Sequence, residues 1–173
     1  PREVEVSEPV IIQVTAPDVP SAGHIVIRGE ALSKATVVLL HSGPAQLLEG
    51  VEVRADDQAS LNVVSVHDWD RDALHTSSHR VSVGRDATLH HMVVTLGGDL
   101  VRVTVDSDFS GPGGNLGMDG LYFVDAGQHL EHRVFVDHNE PHTQSDVDYR
   151  GALQGEGAHS VWVGDVLIRM EAT

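Results

Sequence analysis

Short aliphatic runs, each broken within a few residues by Gly, Asp, Asn or Pro, fill this chain and leave little room for helix. Val10-Ile11-Ile12-Gln13-Val14, Thr36-Val37-Val38-Leu39-Leu40, Leu61-Asn62-Val63-Val64-Ser65-Val66 and Leu100-Val101-Arg102-Val103-Thr104-Val105 are typical. Most runs are four to six residues long and rich in β-branched side chains, which suit the pleated surface of a strand. Apolar spacing at i, i+3, i+4 is almost absent, so an all-β fold is expected. The helix candidates are one turn near Pro44 to Leu48 and one from Asp70 to Leu74. Aromatics make up only 4% of the 173 residues, so the core must be aliphatic. That length suits a single domain spanning 1–173.

A faint internal repeat accompanies the runs. Asp56 to Val66 matches Asp86 to Leu96 at an offset of 30, and Asp125 to Val136 has the same cadence. In each, a small polar turn precedes an aliphatic strand. A β-solenoid repeats in this way because each coil stacks on the last and buries a continuous column. Successive hairpins of a sandwich or cupin-like barrel give similar spacing. The repeat leans towards the solenoid.

Eleven basic residues face 26 acidic ones, a formal net charge of -15 that repels phosphate. Neither a nucleic acid nor an anionic membrane is expected as a partner. The chain has no cysteine, which rules out disulfides, thiolate metal sites and a thiol nucleophile. No apolar run approaches the roughly 18 residues of a membrane-spanning helix. Pro1-Arg2-Glu3-Val4-Glu5 does not read as a signal peptide. A cytoplasmic location is expected. An aliphatic strand runs almost to Thr173, so a fragment of a longer protein is expected too.

Few motifs carry chemistry. Asp68-Trp69-Asp70-Arg71-Asp72 opens like a calcium loop, but Ala73 stands where Gly is needed and His79 where a bidentate Glu is needed. Gly111 to Gly120 is rich in glycine without a Gly-Lys-Ser/Thr, and reads as a loop or wide turn. No Gly-x-Ser-x-Gly elbow or triad spacing stands out. His75 and His79 have helical spacing but lack the Glu of a zinc helix, and His90 and His91 must point to opposite faces of a strand. His138, Glu140 and His142 are the candidate metal ligands, because alternation in an extended segment puts all three on one side. The competing reading is a turn at Pro141 that carries surface histidines.

The segment from Phe135 onward is the most specific. Val136-Asp137-His138-Asn139-Glu140-Pro141-His142-Thr143-Gln144-Ser145 leads to Tyr149-Arg150-Gly151-Ala152-Leu153, and then to Ser160-Val161-Trp162-Val163-Gly164-Asp165-Val166-Leu167-Ile168. This pattern resembles the SufB/SufD family, the scaffold subunits of the SUF iron–sulfur cluster assembly machine, with SufD the nearer of the two. The resemblance implies a right-handed parallel β-helix with little or no α-helix. It implies a non-catalytic scaffold, a SufB-like paralogue and a SufC-like ATPase as partners, and an iron–sulfur cluster held transiently by the full complex. It further implies more coils and a helical domain after Thr173, so that an exposed last coil would let the chain self-associate. No functional residue is carried over: Thr143, Ser145, Tyr149 and Gly151 match the pattern but read as turn and packing positions. The alternative is a metal-dependent cupin-type enzyme with His138, Glu140 and His142 as ligands. The absence of any His-x-His weighs against it.

Overall fold

The computed structural model describes residues 1–172, and the aliphatic runs become strands. In chain order they are β1 (Val10–Thr15), β2 (Pro20–Gly29), β3 (Lys34–Gly43), β4 (Gln46–Ala55), β5 (Ser60–Trp69) and β6 (Leu74–Val83). There follow β7 (Thr88–Thr95), β8 (Leu100–Phe109), β9 (Asn115–Val124), β10 (His129–His138), β11 (Gln144–Leu153) and β12 (His159–Ile168). Odd-numbered strands form one six-stranded sheet and even-numbered strands another. All pairings between these strands are parallel. A chain that crosses between two sheets and returns one position further along each time produces this order. The fold is a parallel β-solenoid of six coils.

Alternate residues of each strand face the space between the sheets, and because the coils stack in register, like positions form columns. Leu61, Leu89 and Leu116 lie in one such column and are at most 2% exposed. In the other sheet, Val53 and Val81 lie in a second, buried column. Phe109 is the largest fully buried side chain and stacks on the His138 ring at 5.0 Å.

The corners before β3, β5, β7, β9 and β11 use one backbone solution. Leu32, Gln58, Asp86, Gly113 and His142 have φ of 61, 58, 51, 77 and 59°, and each stands two residues before its strand. Four of these N–H groups donate to the next coil: Leu32 to the Asp57 carbonyl, Gln58 to Arg85, Asp86 to Pro112 and Gly113 to Pro141. This left-handed conformation is the true repeat, and residues as different as Leu and His carry it. A Cβ at Gly113 would also stand 2.2 Å from Asp86 Oδ1, so the exposed Asp86 carboxylate would have to turn away.

The structure corrects several expectations. The repeat offset between the first two matched segments is 28, with Leu61 beside Leu89, and the Asp125 to Val136 segment lies in the opposite sheet. Strands are mostly ten residues long, because polar outward positions continue the pairing past each aliphatic run. Neither helix candidate forms: Gln46 to Leu48 open β4, and Asp70 to Ala73 make a tight corner closed by the Ala73 N–H on the Asp70 carbonyl at 3.0 Å. Among the described residues the one helical element is a 3-10 turn, Met170–Ala172, and no helix is long and apolar enough to cross a membrane. Only the first part of the glycine-rich stretch is a turn, and Asn115 to Gly120 belong to β9. Parallel pairing throughout also removes the antiparallel cupin barrel.

Leu32 gives a direct check on the corner. Its side chain is half-exposed and its φ is left-handed, a conformation that costs a non-glycine residue about 1–2 kcal/mol. Leu32→Gly should therefore raise unfolding stability by about 1 kcal/mol, and Gly113→Ala should lower it by at least as much. Urea unfolding midpoints measure both.

Candidate functional site

The columns that fill the solenoid are not all aliphatic. His41, His67 and Thr95 succeed one another at the same inward register of β3, β5 and β7, and in the other sheet Glu49 and Ser77 do so on β4 and β6. All are buried, and so are His75, His79, His91 and His132. Burial of this many polar groups demands partners, because an unmatched buried polar group costs about 1–3 kcal/mol.

Glu49 lies at the centre. Its Oε2 is 3.0 Å from His41 Nε2 and 3.3 Å from His75 Nε2, and the side chains of all three are at most 1% exposed. The His41 ring is fixed from behind: its Nδ1–H donates to the Val66 carbonyl at 3.1 Å. Trp69 Nε1–H donates to His75 Nδ1 at 3.1 Å, which leaves the proton of a neutral His75 on Nε2. That Nε2 makes no hydrogen bond despite its closeness to Glu49. Burial alone would raise the Glu49 pKa, but hydrogen bonding from His41, the approach of His75 and their charges bring it down to about 2. Glu49 is thus an ionised carboxylate inside the solenoid.

Two further groups extend from this centre. The His67 ring packs edge-on against His41 at 4.6 Å and His75 at 4.9 Å, and its Nε2 pairs with Ser65 Oγ at 2.9 Å. Thr95 Oγ1 bridges His67 Nδ1, at 3.4 Å, and His132 Nε2, at 3.0 Å. Separately, His79 Nδ1 meets His91 Nε2 at 3.0 Å. The far nitrogens His79 Nε2, His91 Nδ1 and His132 Nδ1 and the hydroxyls of Ser77 and Tyr149 have no protein partner. Burial lowers the pKa of His67, His75 and His79, and brings His91 and His132 down to about 4.

Of the two readings of His138, Glu140 and His142, an extended ligand set and a turn at Pro141, the structure has the turn. His138 ends β10 facing inward, with Nδ1 on Thr143 Oγ1 at 2.8 Å and Nε2 on Ser145 Oγ at 2.9 Å. Glu140 follows in the turn, and His142 is the exposed corner residue with φ 59°. The segment is not extended there, so alternation does not bring the three together. Thr143 and Ser145 do have a role, as the hydroxyls that hold the His138 ring. The reading of His90 and His91 holds: His91 is buried and His90 lies outward against Asp119. His75 and His79 share the inner face of β6 at strand spacing. His41, Glu49, His67 and His132 escaped sequence reasoning because their partners lie on other strands, with no spacing rule to connect them.

Comparison with known proteins decides the family. The family described as "SUF system FeS cluster assembly, SufBD core domain" matches residues 12–173. The chain belongs to the SufBD core family. A Mycobacterium bovis protein named as an iron–sulfur cluster assembly SufBD family protein is 47% identical over 99% of this chain and 45% of its own length. Namesakes in Mycobacterium leprae and Mycobacterium tuberculosis are each 46% identical over 99% of this chain. The chain thus spans less than half the length of these relatives, 45 to 46%. No solved structure matches.

The histidine column makes stability depend on acid. An unfolded histidine titrates near 6.5, whereas folded His91 and His132 titrate near 4. Between these values the unfolded state binds more protons, so the stability these rings contribute is intact above about pH 6.5 and falls as pH drops towards 4. The loss is up to about 3 kcal/mol for each ring. Urea unfolding at a series of pH values should show this fall, and His91→Gln should flatten it by roughly one ring's share.

Proposed function

We propose that the chain is the core of a non-catalytic scaffold subunit, SufD-like, in cytoplasmic SUF iron–sulfur cluster assembly. It works with a SufB-like paralogue and a SufC-like ATPase as one part of a longer polypeptide. The observation that carries this reading is the family match over residues 12–173 in a chain without a single cysteine. Iron–sulfur clusters are held chiefly by thiolates, so the thiolates come from outside these residues and this solenoid supplies shape and surface.

Two experiments test it. Co-expressed with a SufB-like paralogue and a SufC-like ATPase, a full-length protein carrying this chain should co-purify with both, and removing the solenoid should break the complex. Anaerobic incubation of the chain alone with ferrous iron and sulfide should leave no stable sulfide-to-iron charge-transfer absorption. Recovery of neither partner, or a stable cluster on the chain alone, overturns the scaffold reading.

The last coil supports one further part of the proposal, self-association of the isolated chain through a second copy. Trp162, Val166 and Ile168 continue inward columns of β10, with His132, Val136 and His138 beside them. They are nevertheless 45, 51 and 63% exposed. Light scattering over a concentration series at high salt should show mass growth that Trp162→Lys or Ile168→Lys abolishes. A constant monomer mass counts against it.

A further inference from the structure

The contact between His41 and Glu49 is short of one positive charge. Val66 can only accept, so the Nδ1 proton of His41 is committed to that carbonyl and a neutral ring turns a lone pair towards Glu49. An ionised carboxylate oxygen stands 3.0 Å from that lone pair. A cation must lie between the two atoms, either a proton on His41 Nε2, as in a hydrogen-bonded histidine–carboxylate pair, or a metal ion that replaces it. The third donor, His75 Nε2, is 3.3 Å from the same oxygen, fully buried and without a hydrogen bond.

We propose that His41, Glu49 and His75 form a binding site for one divalent transition-metal ion of the zinc or iron(II) class, enclosed between the second and third coils. Strands β3, β4 and β6 bring the three ligand atoms within 4.8 Å of one another. Two imidazoles and a carboxylate are a donor set that such ions favour. Metal–ligand bonds of about 2.0–2.1 Å in a tetrahedral shell put neighbouring ligand atoms about 3.3 Å apart, and the separations from Glu49 are 3.0 and 3.3 Å. The His41–Val66 hydrogen bond is the outer contact that orients a ligating imidazole and sets its tautomer.

His75 must change on loading. In the empty site its Nδ1 accepts from the Trp69 indole, so its proton occupies Nε2. Metal binding at Nε2 moves that proton to Nδ1 and breaks the indole hydrogen bond, one weak interaction given up for a metal–ligand bond. Trp69 is therefore both a competitor of the metal and a reporter of it. The ligands have at most 1% of their side-chain surface exposed, so the ion enters while the coils close. The site goes beyond the scaffold reading and stands or falls apart from it.

The test is refolding of the whole chain from denaturant with equimolar zinc or cobalt(II), followed by removal of loose metal with a weak chelator. About one retained ion per chain, cobalt ligand-field absorption, a higher thermal midpoint and altered Trp69 fluorescence are expected. His41→Gln and Glu49→Gln should lose the ion, whereas His79→Gln and His142→Gln should keep it. Trp69→Phe keeps all three ligands and should tighten binding about three- to tenfold, which secures the test if a ligand variant does not fold. No retained ion in the wild type, retention in folded Glu49→Gln, or weaker binding in Trp69→Phe overturns the site and leaves a histidine–carboxylate ion pair. Partner co-purification is unaffected by any of these outcomes, so the scaffold proposal fails or holds separately.

Discussion

The parallel pairing of each coil with the next is the interaction on which the whole molecule depends. No coil has a core of its own, and each buries its inward residues only between neighbours. Register is therefore strict, because a slip of one residue would turn every inward side chain outward. The recurring left-handed corner enforces it. The N–H groups of Leu32, Gln58, Asp86 and Gly113 are tied to the following coil, and the strand begins two residues later. A handful of non-glycine residues tolerate an unfavourable φ because stacking over-determines their position.

Stacking in register also creates the histidine column. Inward positions of adjacent coils lie directly above one another, so one polar residue is best satisfied by another in the next coil. His41, His67 and Thr95 follow this logic along one sheet, and Glu49 answers from across the interior. Most of these rings are neutral, since burial lowers their pKa, while Glu49 stays ionised through its two histidines. The outer ion pairs are different in weight. Arg28 with Asp56 and Arg80 with Asp108 each bridge one coil to the next on the surface, where water screens them and such pairs contribute at most about 1 kcal/mol.

Membership of the SufBD core family fits a rigid stack whose interior is filled and whose chemistry at thiolates must come from elsewhere. A solenoid places successive coils at fixed spacing. The buried His41, Glu49 and His75 group is a separate matter, closed to partners and concerned with what lies inside the frame.

The strands, the solenoid and the family are legible in the amino-acid sequence alone. Short β-branched runs cannot make amphipathic helices, and the pattern from His138 through Ser145 to Gly151 is specific enough to name relatives. It also placed His90 and His91 on opposite faces, since that follows from strand alternation alone. For His138, Glu140 and His142 it offers both an extended ligand set and a turn at Pro141, and the corner at His142 shows that the turn is the one formed. The offset of 30 read from side chains is 28 in the stacked coils, because corner conformation recurs while corner side chains do not. Only the tertiary structure decided that His41, Glu49 and His75 meet. Their proximity is a product of coil stacking across two sheets, and nothing in the local spacing of a chain records which residue the next coil will place above it.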